Sequence, residues 1–342
     1  MLSEFQYWLK SRVPLSVQER LRPGKAKKFE AKARAAGADA VVIKMGSDRQ
    51  LAHGTWYRGE NTNYQPTKVN LHEANAIEDY FLKGWLPEKP FITKQHYVTA
   101  FGSCFAAHMT NYLAKNNFNI FGGNLKLDSY VVRCGEGMVN TFAIAQQFEW
   151  AFGERAFGDN LWHDKKGNVA EDSLDIQNET RHIFEQTDVF IITLGLSEVW
   201  YDKRTGDAFW RAVPRSEYDP EIHGFKVSSV AENLTNLQTI YRLIREHRPD
   251  AAIVVTLSPV PLVATFRPVS CITANSVSKA VLRVAVDEFY RDHSDDDNLY
   301  YFPSYELVKE YFKDPYEKDN RHIRSSVVEM IMKTFHKHFL IG

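Results

Sequence analysis

Two short segments, far apart in the chain, hold the residue types of nucleophilic acyl chemistry. Gly102-Ser103-Cys104-Phe105-Ala106 directly follows the β-rich run Tyr97-Val98-Thr99-Ala100-Phe101. A glycine there permits a sharp bend from strand to helix, and the first helical turn offers backbone N–H groups without intrahelical partners. Such a turn exposes a serine hydroxyl and can stabilise an oxyanion beside it. Serine is a weak nucleophile until a base takes its proton, and the base needs a partner that fixes its tautomer. Asp319-Asn320-Arg321-His322 supplies both groups within one loop. Ser103 is therefore the candidate nucleophile, His322 the candidate base and Asp319 its orienter. Cys104 is a rival on the same turn, because a helix N-terminus lowers a thiol pKa. One residue into the helix, its side chain is expected to point toward the core as small apolar filler.

The elements that must hold these residues follow a strand-then-helix rhythm. The apolar run 189–194 stops at Gly195, the run 251–257 stops at Ser258-Pro259, and the run 299–302 stops at Pro303. Unbroken apolar runs of this length mark strands buried on both faces, hence a parallel sheet. Phe105, Met109, Tyr112 and Leu113 share one face of a helix predicted over 104–115. Further helices are predicted over 230–245, 277–289 and 327–339. Ser229 with Glu232, and Ser326 with Glu329, have the spacing of capping boxes. This alternation predicts an α/β fold with a doubly wound open sheet, whose functional residues gather at the carboxyl ends of the strands.

The chain has 342 residues, of which 44% are hydrophobic, enough for one large α/β domain with elaborations. Residues 1–90 read as an N-terminal helical and irregular appendage, and 91–342 as the catalytic domain. The appendage begins with a basic arm (Arg20, Arg22, Lys25, Lys27, Lys28, Lys32, Arg34), broken by Pro14 and Pro23, and carries a short strand near 40–43. Such an arm suits contact with a protein partner or a membrane surface. A formal charge of −1, from 42 basic and 43 acidic residues, creates no global field for nucleic acid. Cys104, Cys134 and Cys271 show no C-x-x-C spacing, which fits a reducing compartment and neither a disulfide framework nor structural zinc. The first residues lack a basic start followed by an apolar stretch, and no later segment offers about 20 apolar residues in a row. A cytoplasmic protein without a transmembrane segment is expected. The acidic stretch 292–298 lacks the glycine and closing glutamate of a calcium loop, and Gly135-Glu136-Gly137 does not complete a dinucleotide fingerprint. No metal and no required cofactor are expected.

Gly102-Ser103-Cys104-Phe105-Ala106 spells the motif of the GSCFA family, a branch that resembles the SGNH/GDSL hydrolases. Further landmarks of the resemblance follow in order: Thr193-Leu194-Gly195-Leu196-Ser197-Glu198-Val199-Trp200, Ser258-Pro259-Val260-Pro261, the stretch 275–283, Tyr301-Phe302-Pro303-Ser304-Tyr305-Glu306, and the D-x-x-H. It extends from Tyr97 to the C-terminus and leaves 1–90 unmatched. The resemblance implies a three-layer flavodoxin-like (SGNH-hydrolase-like) parallel sheet, with the nucleophile after the first strand at Ser103 and the base near the C-terminus at His322. One block departs from the SGNH pattern: where those enzymes carry Gly-x-Asn-Asp, this chain has Gly195-Leu196-Ser197-Glu198. The missing oxyanion donor is expected from Asn140 or from Ser197, beside the backbone N–H groups of Ser103 and Gly137. Glu198 and Trp200 are candidates to face the substrate, and Arg133, Arg321 and His223 to hold an anionic substrate group. The expected function is serine-dependent hydrolysis or transfer of an O-acyl group, with acetyl esters of a carbohydrate as substrate and an acyl-enzyme on Ser103. Acyl-coenzyme A is a compatible donor if the reaction is transfer. The alternative is a non-catalytic carbohydrate-binding or scaffold module on the same fold.

Overall fold

The structure is a computed structural model that describes residues 42–45, 48–51, 63, 65–66, 68, 70–102, 104–125, 129, 139–157, 161–162 and 174–342. The basic arm lies outside the described residues. The chain divides into two units, Met1–Lys83 and Gly84–Gly342. In the first, β1 (Val42–Met45) pairs antiparallel with β2 (Asp48–Leu51), so this strand runs two residues beyond the stretch expected near 40–43.

The second unit is built on five parallel strands: β3 (Tyr97–Phe101), β4 (Asn119–Ile120), β5 (Val189–Leu194), β8 (Ala252–Leu257) and β9 (Leu299–Tyr301). Their order across the sheet is β4-β3-β5-β8-β9. The chain moves outward from β3 to β4 and then returns to place β5 on the other side of β3. Connections leave in opposite directions at the β3/β5 boundary, which opens a crevice at the carboxyl edge there. Every residue of β5 and β8 is buried, as the apolar runs predicted.

Among the described residues, six helices of ten residues or more cover the sheet: α1 (Cys104–Lys115), α2 (Thr141–Ala151), α3 (Leu174–Gln186), α4 (Val230–His247), α5 (Cys271–Asp292) and α6 (Ser325–Phe339). Phe190, Ile192, Leu194, Ile253, Val255 and Leu257 point to one face and share a core with α2, α3, α4 and α5. Phe148 of α2 sits at its centre, with ring centroids 4.4 Å from Phe184, 5.4 Å from Phe101 and 5.7 Å from Phe190. On α6, Phe335 and Phe339 stack at 4.7 Å and both meet Phe302, while His336 Nδ1 lies 3.0 Å from the Tyr112 hydroxyl of α1.

Two local expectations change. Helix α5 is longer than predicted and starts at Cys271, because Ser270 and the loop before it already turn into the first helical bonds. The capping box forms at Ser229, whose Oγ accepts from Glu232 N (3.2 Å) while Ser229 N donates to Glu232 Oε2 (2.8 Å). At Ser326 it does not form. Arg324 is pinned by its Nε to the Tyr316 carbonyl (2.9 Å) and by an ion pair with Asp314, so α6 starts at Ser325 and Ser326 is already helical. Glu329 instead pairs with Lys333 at 2.7 Å. The sequence also gave no sign of the antiparallel ribbon of β6 (Glu198–Asp202) and β7 (His223–Val227), which follows β5.

Candidate active site

The loop between Tyr316 and Ile323 closes on itself through a bridge between those two residues and a bond from Glu317 N to the His322 carbonyl (2.7 Å). Asn320 at its tip has φ 55°, a left-handed conformation that asparagine tolerates better than most residues. The tight turn folds Asp319 back along the chain. Its Oδ1 accepts from Arg321 N (3.1 Å) and His322 N (3.0 Å), and its Oδ2 pairs with His322 Nδ1. Hydrogen bonding from the imidazole, then from the two backbone N–H groups, pulls the Asp319 pKa down to about 2. An ionised Asp319 therefore holds the Nδ1–H tautomer and leaves Nε2 as the proton acceptor.

At the other end of the site β3 stops at Gly102, with φ 128°. A Cβ there would sit 2.5 Å from the Thr193 carbonyl oxygen and 2.7 Å from Thr193 Cβ on the neighbouring strand. Only glycine fits both the angle and the space. Ser103 itself lies outside the described residues, between Gly102 and the first residue of α1. His108 lies one turn along α1. Burial, more than its interaction with His322, lowers its pKa.

A pocket of about 300 Å³ occupies this carboxyl edge. Cys104 lines it and is half-buried, contrary to the core position expected. Helix α1 begins at Cys104 itself, so its side chain belongs to the sheet edge, and the core face starts at Phe105. Asn140 also lines the pocket and is the N-cap of α2, its Oδ1 accepting from Ala143 N at 2.9 Å. The cap fixes the amide plane and leaves Nδ2 as a donor. Ser197 is not among the lining residues. It is fully buried, its N–H donating to Ser278 Oγ (2.7 Å) and its carbonyl accepting from Ser228 N (2.8 Å) and Oγ (2.9 Å). Of the two side-chain donors weighed, the fold brings Asn140 to the pocket and turns Ser197 inward. Gly137 and Arg133 lie outside the described residues.

Glu198 and Trp200, on β6, and Arg321, from the Asp–His loop, line the pocket. Glu198 is 6% exposed and its Oε1 accepts from Thr265 Oγ1 at 2.6 Å. Trp200 packs edge-on against Phe266, with centroids 4.9 Å apart. His223 does not line the pocket; it is buried, stacked on Phe209 at 4.8 Å, and its Nδ1 lies 2.9 Å from the Asp219 carbonyl. Phe209 and Arg211, which the sequence did not single out, line the pocket from the segment after β6.

The most consequential residue that sequence reasoning missed is Lys279 of α5. Its ammonium is buried and donates to the carbonyls of Gly195 (2.6 Å) and Ser258 (2.7 Å), the residues that directly follow β5 and β8. Burial pushes its pKa down to about 7. With Ser278 on Ser197 N and Asn275 Oδ1 accepting from Leu262 N (3.1 Å), it ties the pocket's floor to one helix. A signal was present: Asn275, Ser278 and Lys279 fall at i, i+3 and i+4, the spacing of one helical face, beside the buried Ala274 and Leu282.

Among the described residues no group of three or more histidine, cysteine and acidic side chains stands close enough to hold a metal ion, and no helix is long and apolar enough to cross a membrane. The parallel strand order with helices covering the sheet makes this a flavodoxin-like α/β domain. The chain belongs to the GSCFA family, which matches it over residues 97–335. Solved structures similar to it include a carbohydrate esterase family 3 protein from Talaromyces cellulolyticus, at 9% identity and TM-score 0.34, covering 70% of this chain and 94% of that one. A family 3 carbohydrate esterase from Clostridium thermocellum has 12% identity and TM-score 0.33, with 72% and 95% covered. The periplasmic domain of a lipopolysaccharide acetyltransferase from Salmonella ser. Paratyphi A has 10% identity and TM-score 0.34, with 71% and 81% covered. None of the curated proteins matches the chain in sequence.

Proposed function

We propose that this protein is a serine-dependent acyl-ester hydrolase or O-acyltransferase that acts on acetyl groups of a carbohydrate. The observation that carries the reading is the ionised Asp319 holding His322 Nδ1, in a loop whose Arg321 lines the pocket at the start of α1. Ser103 Oγ attacks the acyl carbon while His322 Nε2 takes its proton. The oxyanion accepts hydrogen bonds from backbone N–H groups of the turn and from Asn140 Nδ2. His322 then returns the proton to the leaving alcohol, and water or a second hydroxyl attacks the acyl-enzyme by the same route in reverse. Hydrolysis and transfer use the same residues, and acyl-coenzyme A serves as donor only in transfer. Trp200 offers an aromatic face and Glu198 a carboxylate, a pairing that suits a polyhydroxylated substrate.

Turnover of an aryl acetate tests this. Ser103→Ala should lower it on the order of 10³-fold, because no remaining group forms the acyl-enzyme. Cys104→Ala should act mainly on KM, since the thiol lines the pocket. The reverse ranking would require a thiol nucleophile, and near-wild-type rates in both folded variants would favour a non-catalytic module.

A further inference from the structure

Arg321 differs from most arginines of this unit. Arg204, Arg242, Arg245, Arg248, Arg283 and Arg324 each pair with a carboxylate. Among the described residues Arg321 has no such partner; its Nε is buried without a hydrogen bond, and its Nη1 lies 3.4 Å from His322 Nε2. A guanidinium is always protonated and can only donate. Its N–H therefore faces the lone pair that must receive the Ser103 proton. Asp319, the nearest carboxylate in the chain, is already committed to His322 Nδ1 and to the backbone N–H groups of Arg321 and His322.

The pocket wall carries a second guanidinium besides Arg321, that of Arg211. Burial lowers its pKa, so this cation is held partly out of water. The described lining carries two guanidiniums and one carboxylate, Glu198, whose Oε1 is taken by Thr265.

We propose that the ester carries an oxyanion, a carboxylate or a phosphate, which binds Arg321 and draws its guanidinium off His322 Nε2. This rests on the acyl-transfer reading of the same site and narrows it to anionic substrates. Binding then does two things: it places the ester, and it clears the acceptor nitrogen of the base. A neutral ester has nothing to exchange for the Arg321–His322 contact, so the wild-type protein discriminates against it.

The test uses 4-acetoxybenzoate, its uncharged methyl ester, and 4-acetoxyphenyl phosphate as substrates for the full chain. In the wild type, kcat/KM for the better anionic probe should exceed that for the methyl ester by about tenfold or more, and the ratio should shrink with added salt. The carboxylate and phosphate arms tell which oxyanion is preferred. Arg321→Gln should bring the ratio close to one, and Arg321→Lys should restore only part of it, because the planar fork is lost. A second measurement is independent of turnover: calorimetric binding of 4-acetamidobenzoate and of its methyl ester, whose amides resist cleavage. Arg321-dependent preference for the carboxylate without any ester turnover would uphold the anion site and overturn the acyl-transfer reading. Turnover with a ratio that neither salt nor Arg321→Gln changes would overturn the anion site and leave the acyl-transfer reading standing.

Discussion

Replacing Lys279 by methionine keeps an unbranched side chain of similar length and deletes the ammonium that joins β5 to β8. Lys279 is 1% exposed, and burial pushes its pKa down to about 7, against about 10.4 for an unfolded lysine. Between those values the unfolded chain binds a proton that the folded chain has released. The folded pKa lies below the unfolded one, so this contribution to stability is fully present above the upper value and is lost as pH falls through the lower. Within the window the slope is about 1.4 kcal/mol per pH unit, or about 3 kcal/mol between pH 7.5 and 9.5. The carbonyls of Gly195 and Ser258 favour the charged form and work against the shift, which makes that figure an upper bound. Measurements should stop near pH 9.5, because Tyr301, with its pKa raised by burial, keeps a proton that unfolded tyrosine sheds above about pH 10 and reverses the trend. Methionine removes one donor from each of two carbonyls, at about 1–3 kcal/mol apiece. Lys279→Met should therefore be less stable than wild type by about 2–5 kcal/mol at pH 9 and by clearly less at pH 6, where the wild type bears the cost of a buried charge. Urea unfolding, followed by far-UV circular dichroism at several pH values, gives both curves. Parallel curves for the two proteins would refute a buried lysine that titrates near neutrality.

Gly102→Ala should lower the unfolding free energy by at least about 2 kcal/mol and abolish turnover, because its Cβ meets Thr193 at φ 128°; a thermal scan with an activity assay checks both. Asp319→Asn should reduce kcat by roughly 10–10³-fold, as the imidazole loses its tautomer partner, while the exposed site leaves the unfolding midpoint unchanged. With its pKa near 2, Asp319 stays ionised at any working pH, so a wild-type pH–rate profile should show acid-side loss only from protonation of the base. Phe148→Ala should cost about 3–5 kcal/mol in denaturant unfolding, since it empties the centre of the aromatic core.

The sheet and its two chemical ends were legible because their signals are local. A strand buried on both faces needs an unbroken apolar run, and the runs ending at Phe101, Leu194 and Leu257 coincide with the ends of β3, β5 and β8. Gly102 and the D-x-x-H work within a few bonds of themselves, through one dihedral angle and one loop turn. Local patterns were weaker where a neighbour could overrule them. Ser229 and Ser326 carry the same capping spacing, yet only the first caps its helix, because Arg324 is pinned by Asp314 and Tyr316, residues well upstream.

By itself the sequence determined the α/β class, the parallel strands, and which carboxylate and imidazole form a pair. Only the tertiary structure decided which residues share the pocket. Asn140 and Ser197 were equal candidates in the sequence; the fold puts Asn140 in the pocket wall, while α5 turns Ser197 inward through Ser278. Lys279 reads as an ordinary helix lysine until the ends of β5 and β8 close over it. Arg321 is one of many arginines until its neighbours leave it without a carboxylate, beside the nitrogen of the base. Burial and charge balance are properties of packed surroundings, assembled from segments scattered along the chain, and no window of sequence contains them.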